Sequence, residues 1–126
     1  MISGNQTDNL RLGRIAPTLG VTDIQAAYRI YNSVFGFEKV FENGEPVGFM
    51  VLEKDDAELH LSLQRDYKAP HFNVAHLLVS DADAAHEACV RHRLRIIKRL
   101  QDKDYGLRAF VFADPDGNRI DVGQTT

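Results

Sequence analysis

Leu19-Gly20-Val21-Thr22-Asp23-Ile24-Gln25-Ala26-Ala27-Tyr28 is answered later in the chain by Leu77-Leu78-Val79-Ser80-Asp81-Ala82-Asp83-Ala84-Ala85-His86. Matched residues stand 58 positions apart: Leu19 and Leu77, Val21 and Val79, Asp23 and Asp81, Ala26 and Ala84. Each copy reads as the end of a strand, a helix start signal, then a helix. In the first copy Leu19 and Val21 alternate with Thr18 and Gly20, a period of two with one apolar face. Thr22 or Asp23 then offers the side-chain oxygen that caps a helix. Ile24, Ala27, Tyr28, Tyr31, Val34 and Phe35 recur at three- and four-residue steps and make one apolar stripe. Gly36 follows where a left-handed residue closes a helix. A unit present only twice does not build a solenoid, which needs three or more stacked units. It predicts two similar modules joined into one sheet with a cavity between them.

Working outward, three short strands are expected after the first helix: 37–41, 47–53 and 57–64. Asn43-Gly44 marks the first turn and Lys54-Asp55-Asp56 the second. In the last strand Leu59, Leu61 and Leu63 share one face, and Glu58, His60, Ser62 and Gln64 share the other. Residues 66–71 link the halves, broken by Pro70. The second half repeats the order: a strand over 72–80, a helix over 81–93, and strands over 95–100, 107–113 and 118–123. The last two strands are joined by Asp114-Pro115-Asp116-Gly117, a turn in which proline presets φ and Gly117 takes positive φ. The first strand is expected over 14–21, after a loose polar tail at 1–12. Residues 13–126 are expected to form one domain, with module one over about 13–66 and module two over about 72–124.

The chain has 126 residues, 44% hydrophobic and 26% charged, with a formal net charge of −3. That is one ordinary globular domain, and the charge argues against a nucleic-acid partner. The basic cluster around Arg91, Arg93 and Arg95 falls at a predicted helix end, where cations suit the helix dipole. The single cysteine, Cys89, forms no intrachain disulfide and reads as a small core residue. No secretory leader is expected at 1–12, and no stretch approaches a membrane span. The expected setting is cytoplasmic.

Three pieces of the chain resemble the vicinal oxygen chelate superfamily, also called the glyoxalase/bleomycin-resistance/dioxygenase superfamily. They are Val21-Thr22-Asp23 leading into Tyr31-Asn32-Ser33-Val34-Phe35-Gly36-Phe37, then Leu77-Leu78-Val79-Ser80-Asp81, then Phe112-Ala113-Asp114-Pro115-Asp116-Gly117-Asn118. The resemblance implies an α+β fold of two βαβββ modules. Each curls a mixed four-stranded sheet around part of a cavity, with helices outside. It also implies a homodimer, in which modules of two chains can complete each cavity.

Metal-using members of that superfamily place ligands at four points, which fall here on Ala16, His60, Val74 and Asp121. Ala16 and Val74 have no donor atom, and catalytic zinc sites usually use three protein ligands. The resemblance is therefore closest to metal-free, bleomycin-resistance-like members, and no cofactor is expected. A shift to His76, on the same strand face as Val74, offers the alternative set His60, His76 and Asp121 for a divalent Zn, Ni, Mn or Fe. Otherwise His60 and His76 line a cavity as hydrogen-bonding imidazoles, and Asp121 pairs with Arg119 or Arg108. His71, His86 and His92 are expected to be exposed.

Strand alternation assigns Thr18, Gly20, His60, Ser62, Gln64, Val74, His76, Leu78, Arg119 and Asp121 to the cavity face. Phe49, Tyr105, Phe110 and Phe112 are candidate aromatic walls. Thr18, His60, Ser62, Gln64, His76, Arg119 and Asp121 are the candidate ligand-binding residues. A few polar groups on apolar walls suit an organic ligand, and no phosphate loop or nucleophile motif is present. The expected function is metal-free sequestration of a small organic molecule or drug in a dimer cleft. The alternatives are a metal-dependent glyoxalase-like lyase or isomerase, and a regulatory or self-association module.

Overall fold

Asp23 and Asp81 are the two helix caps. In the computed structural model, which describes residues 8–126, both have extended backbone. Each carboxylate accepts a 3.0 Å hydrogen bond from an amide three residues on, Ala26 and Ala84. They open helix α1 (Ile24–Phe35) and helix α2 (Ala82–Arg91). Gly36 closes α1 at φ 82°, in the left-handed region that a Cβ disfavours, and its N–H donates to the Asn32 carbonyl.

Strands β1 (Thr18–Val21), β2 (Glu38–Asn43), β3 (Phe49–Lys54) and β4 (Ala57–Leu63) form one sheet in the order β1-β4-β3-β2. Strands β5 (Asn73–Leu78), β6 (Arg95–Asp102), β7 (Leu107–Ala113) and β8 (Arg119–Thr125) form another in the order β5-β8-β7-β6. In each sheet the first and fourth strands run parallel and the other pairs antiparallel. The architecture is α+β, two mixed sheets in βαβββ modules. The single sheet read from the repeat is corrected to two, with β1 and β5 each a sheet edge. Side-chain packing joins the modules instead: Phe35 lies 5.6 Å from Phe112, ring centre to ring centre, in a shared core.

That core takes Leu19, Val21, Met50, Leu52, Leu59 and Leu61 from the first sheet and Phe110, Phe112, Ile120 and Val122 from the second. Each fully buried side chain of this kind contributes about 1.5–3 kcal/mol. Leu63, Leu77 and Val79 pack against the core partly buried, and Cys89 is fully buried. β1 starts at Thr18 rather than at 14, because Pro17 has no amide hydrogen to extend the ladder. Of the tail expected over 1–12, positions 1–7 lie outside the described residues. Leu10 and Leu12 are exposed and without regular structure.

The turn at Asp114–Gly117 also clamps the modules together. Asp114 Oδ2 accepts from Tyr31 Oη at 2.8 Å and from Asn118 Nδ2 at 3.1 Å. Asn118 Nδ2 also donates to the Gly20 carbonyl, and Tyr67 donates its hydroxyl to Asn118 Oδ1 at 2.5 Å. Thr22 donates both its amide and its hydroxyl to Asp116 Oδ1. Among the described residues every buried side-chain polar atom has a partner, as a low-dielectric interior demands. No helix among them is long and apolar enough to cross a membrane.

Candidate functional site

Each sheet buries one face under its helix and leaves the other free, and strand register decides which side chains the free face shows. In module one, Thr18, His60, Val51 and Phe41 stand opposite one another across β1, β4, β3 and β2. Gly20, Ser62 and Phe49 make the next row. In module two the corresponding row is His76, Asp121, Val111 and Lys98, and the next is Leu78, Gly123, Ala109 and Gln101. Arg119 faces Asn73 on the same side. Gln64 lies just past β4 and is exposed.

Both histidines are held by a carboxylate. His60 Nε2 lies 2.6 Å from Glu58 Oε2, and the edge of Phe49 meets the imidazole with ring centres 5.4 Å apart. The Arg14 guanidinium stands 3.9 Å from both Glu53 and Glu58. His76 Nδ1 lies 2.7 Å from Asp121 Oδ2. An imidazole anchored through one nitrogen has a fixed ring plane and presents its other nitrogen outward.

Several expectations are corrected here. Asp121 pairs with His76 rather than with Arg119 or Arg108, because parallel register puts His76 directly opposite it. Arg108 sits at the far end of β7 and is taken by Asp83 at 3.0 Å and Asp102 at 3.2 Å, which holds the Asp83 carboxyl below its usual range. Val74 leaves the cavity row because a bulge between Asn73 and Ala75 takes it out of register. Gly20 is on the free face but covered by the Tyr67 ring. Of the four candidate aromatic walls, Phe110 and Phe112 are core, Phe49 is on the free face and Tyr105 is exposed. His71 is exposed, whereas His86 packs edge-on against Phe110 and His92 bonds the Ala88 carbonyl.

Glu58 is the site residue that sequence reasoning passed over. Its signal was present, since Glu58 and His60 are two apart and so share one strand face. The alternative metal set is split between the sheets, with His60 on one and His76 and Asp121 on the other. Among the described residues no group of three His, Cys, Asp or Glu side chains is arranged to hold a metal. Within one chain these residues do not fit a three-ligand centre. An apolar cavity of about 140 Å³ lies between the modules, with Tyr31, Phe35 and Phe112 in its lining and Glu58 and His76 among its polar groups.

A sequence model described as the Glyoxalase/Bleomycin resistance protein/Dioxygenase superfamily matches residues 11–122. The chain belongs to this superfamily.

Solved glyoxalase-superfamily structures align with nearly all of the chain. A superfamily member from Sphaerobacter thermophilus is 26% identical, with a TM-score of 0.73, covering 86% of this chain and 94% of that one. The bleomycin-binding protein from bleomycin-producing Streptomyces verticillus, complexed with copper(II)-bleomycin, is 25% identical with a TM-score of 0.66, covering 89% and 94%. A lactoylglutathione lyase from Agrobacterium tumefaciens, 18% identical with a TM-score of 0.71 and covering 92% and 96%, shares the fold. No functionally curated protein matches the chain.

Proposed function

We propose that this glyoxalase-superfamily chain is a cytoplasmic small-molecule-binding protein. It sequesters an organic ligand or drug, without a metal, in clefts completed by a second copy of the chain. Thr18, His60, Ser62 and Gln64 form one wall of each cleft, and the partner copy supplies His76, Arg119 and Asp121 to the other. One observation carries this reading. The free sheet faces hold large apolar side chains, Phe41 at 52% and Leu78 at 60% exposure, beside imidazoles already locked by carboxylates. Apolar walls with a few fixed polar anchors are the make-up of an organic ligand site, and exposed apolar patches of this kind mark a surface meant to be covered. The superfamily's metal-ligand points at Ala16 and Val74, which lack donors, support the metal-free form, and the copper(II)-bleomycin complex of the 25%-identical relative supports a drug-sized ligand.

The test combines light scattering with thermal shift across aromatic and cationic drugs. A ligand at 100 times its Kd stabilises the chain by about 2.7 kcal/mol. His60→Ala should remove that shift while barely moving the melting temperature of the free protein. A monomer at every concentration with no ligand response rejects the reading.

A second reading is favoured by the two anchored imidazoles, since a fixed His–carboxylate pair suits proton transfer. In that form the chain is a metal-dependent lyase or isomerase that uses His60, His76 and Asp121 from two copies. Stoichiometric Zn, Ni, Mn or Fe that is lost in His60→Ala, together with turnover, would select it.

A further inference from the structure

We propose that the free face of module two carries a subsite for a compact oxyanion, a carboxylate or phosphonate borne on an aromatic body, built by Lys98, Lys103, Asn73 and Tyr105. The proposal deepens the binding reading above and rests on it for its use, but the subsite is complete within one chain.

The two modules place the same backbone row differently. Module one shows Thr18, His60, Val51 and Phe41, whereas module two shows His76, Asp121, Val111 and Lys98. Valine stands third in both, and the fourth place changes from an aromatic ring to an ammonium group. β6 shifts register on each side of Lys98, between Ile96 and Lys98 and between Lys98 and Gln101. Such bulges bend an edge strand and re-aim its side chains. The consequence is visible at Val111, which is only 3% exposed, whereas Val51 in the equivalent place is half-buried. The space beside it is a cavity of about 80 Å³ that Asn73, Lys98, Lys103, Tyr105 and Asp121 help to line.

Its electrostatics favour an anion. Neither lysine is in an ion pair among the described residues, and neither is Arg119 one row along, in a chain whose net charge is −3. The one carboxylate present, Asp121, is already engaged by His76 at 2.7 Å. Two unpaired ammonium groups beside a neutral amide donor make an oxyanion pocket. The volume suits one carboxylate or phosphonate head, and the exposed Tyr105 ring at the mouth suits an aromatic body.

The test is calorimetric and NMR titration of the full chain with benzoate, phenylphosphonate, inorganic phosphate and benzylammonium. The variants are Lys98→Gln, Lys103→Gln and Tyr105→Ala, with circular dichroism to show that each is folded. Benzoate and phenylphosphonate should bind, more weakly as salt is raised, and benzylammonium should not. Each lysine substitution should weaken the aryl anions about tenfold. Tyr105→Ala should weaken them while leaving inorganic phosphate unchanged, and the ratio of benzoate to phenylphosphonate affinity identifies the preferred head. No aryl-anion binding, equal binding of benzylammonium, or unchanged aryl-anion affinity in both Lys98→Gln and Lys103→Gln overturns the subsite. The two proposals fail separately. A drug bound through His60 with no aryl-anion site leaves the general reading standing, and an anion site with no His60-dependent ligand leaves only the subsite.

Discussion

Replacing Gly20 by alanine puts a methyl group where the Tyr67 ring already lies. An ideal Cβ at Gly20 would stand 2.8 Å from Tyr67 Cγ and closer still to Cδ1 and Cε1. The overlap falls along the Cδ1–Cε1 edge of the ring rather than at its hydroxyl end, so rotating the hydroxyl does not relieve it. Nor is the ring free to swing away, because its hydroxyl is bonded to Asn118 Oδ1. Overpacking of this kind costs about 1–3 kcal/mol. Displacing the ring forfeits a hydrogen bond worth about 0.5–1.5 kcal/mol. The expected loss is therefore about 2–4 kcal/mol, or a fall of roughly 3–5 °C in Tm per kcal/mol for a domain of this size. Urea denaturation should show the midpoint fall with the m-value unchanged. The decisive measurement is a double-mutant cycle. In a Tyr67→Ala background the methyl group meets no ring, and Gly20→Ala should then cost less than about 0.5 kcal/mol, or even stabilise by restricting the unfolded chain. Strictly additive losses would refute the reasoning and place the strain elsewhere.

Burial holds the Asp114 carboxyl above its ordinary value of 3.8, against the lowering pull of bonds from Tyr31 and Asn118. The folded chain therefore binds that proton first, so the group adds stability below its ordinary pKa and loses it as pH rises through the raised one. Across the acid range, wild type should gain stability relative to Asp114→Asn as pH falls, and urea midpoints showing the opposite trend reject this. Asp23→Ala and Asp81→Ala should each lose about 1 kcal/mol in urea denaturation as one cap is removed; no loss at either site contradicts its role. Burial pushes the Cys89 thiol up to about 12, so maleimide labelling should be slow in the folded chain and fast in denaturant. Tyr31→Phe strips a donor from a buried carboxylate and should cost about 1–3 kcal/mol, and an unchanged midpoint would show that the bond contributes little.

What the sequence revealed was local chemistry with a short period. The cap at Asp23, the left-handed Gly36 and the alternation of Leu59 and Leu61 with His60 depend only on neighbours a few residues away. What it hid needs partners far along the chain. Asp114-Pro115-Asp116-Gly117 reads correctly as a turn, but its bonds to Tyr31 and Thr22 span 83 and 94 positions. The His76–Asp121 pair requires the parallel register of β5 on β8. Val74 left the cavity face through a one-residue bulge, which flips side chains without leaving a mark in the hydrophobic pattern. Lys98 was hidden in the same way, between two register shifts. Tyr67 sits in what reads as a linker, and only the fold lays it over Gly20. The repeat announced two modules, but nothing in it says whether they join by hydrogen bonds or by side chains.

The two modules also agree and disagree in a physically ordered way. On the helix side, matched places hold matched residues, Leu19 with Leu77 and Val21 with Val79, and all of these pack in or against the core. Close packing punishes change there, since one methylene is felt. On the free side three of the four matched places in the row differ, Thr18 against His76, His60 against Asp121 and Phe41 against Lys98, while Val51 and Val111 agree. Nothing in the core constrains those side chains, so their chemistry answers to whatever covers the face. In the proposed dimer, a two-fold axis that laid the Phe41 face of one chain over the Lys98 face of the other would repeat that contact. Each cleft would then have one aromatic wall and one cationic wall. Such a pair would suit a molecule with two unlike ends, bound once per cleft and twice per dimer. A single shared ligand on the axis would instead require both copies to present the same face, and the stoichiometry separates the two arrangements.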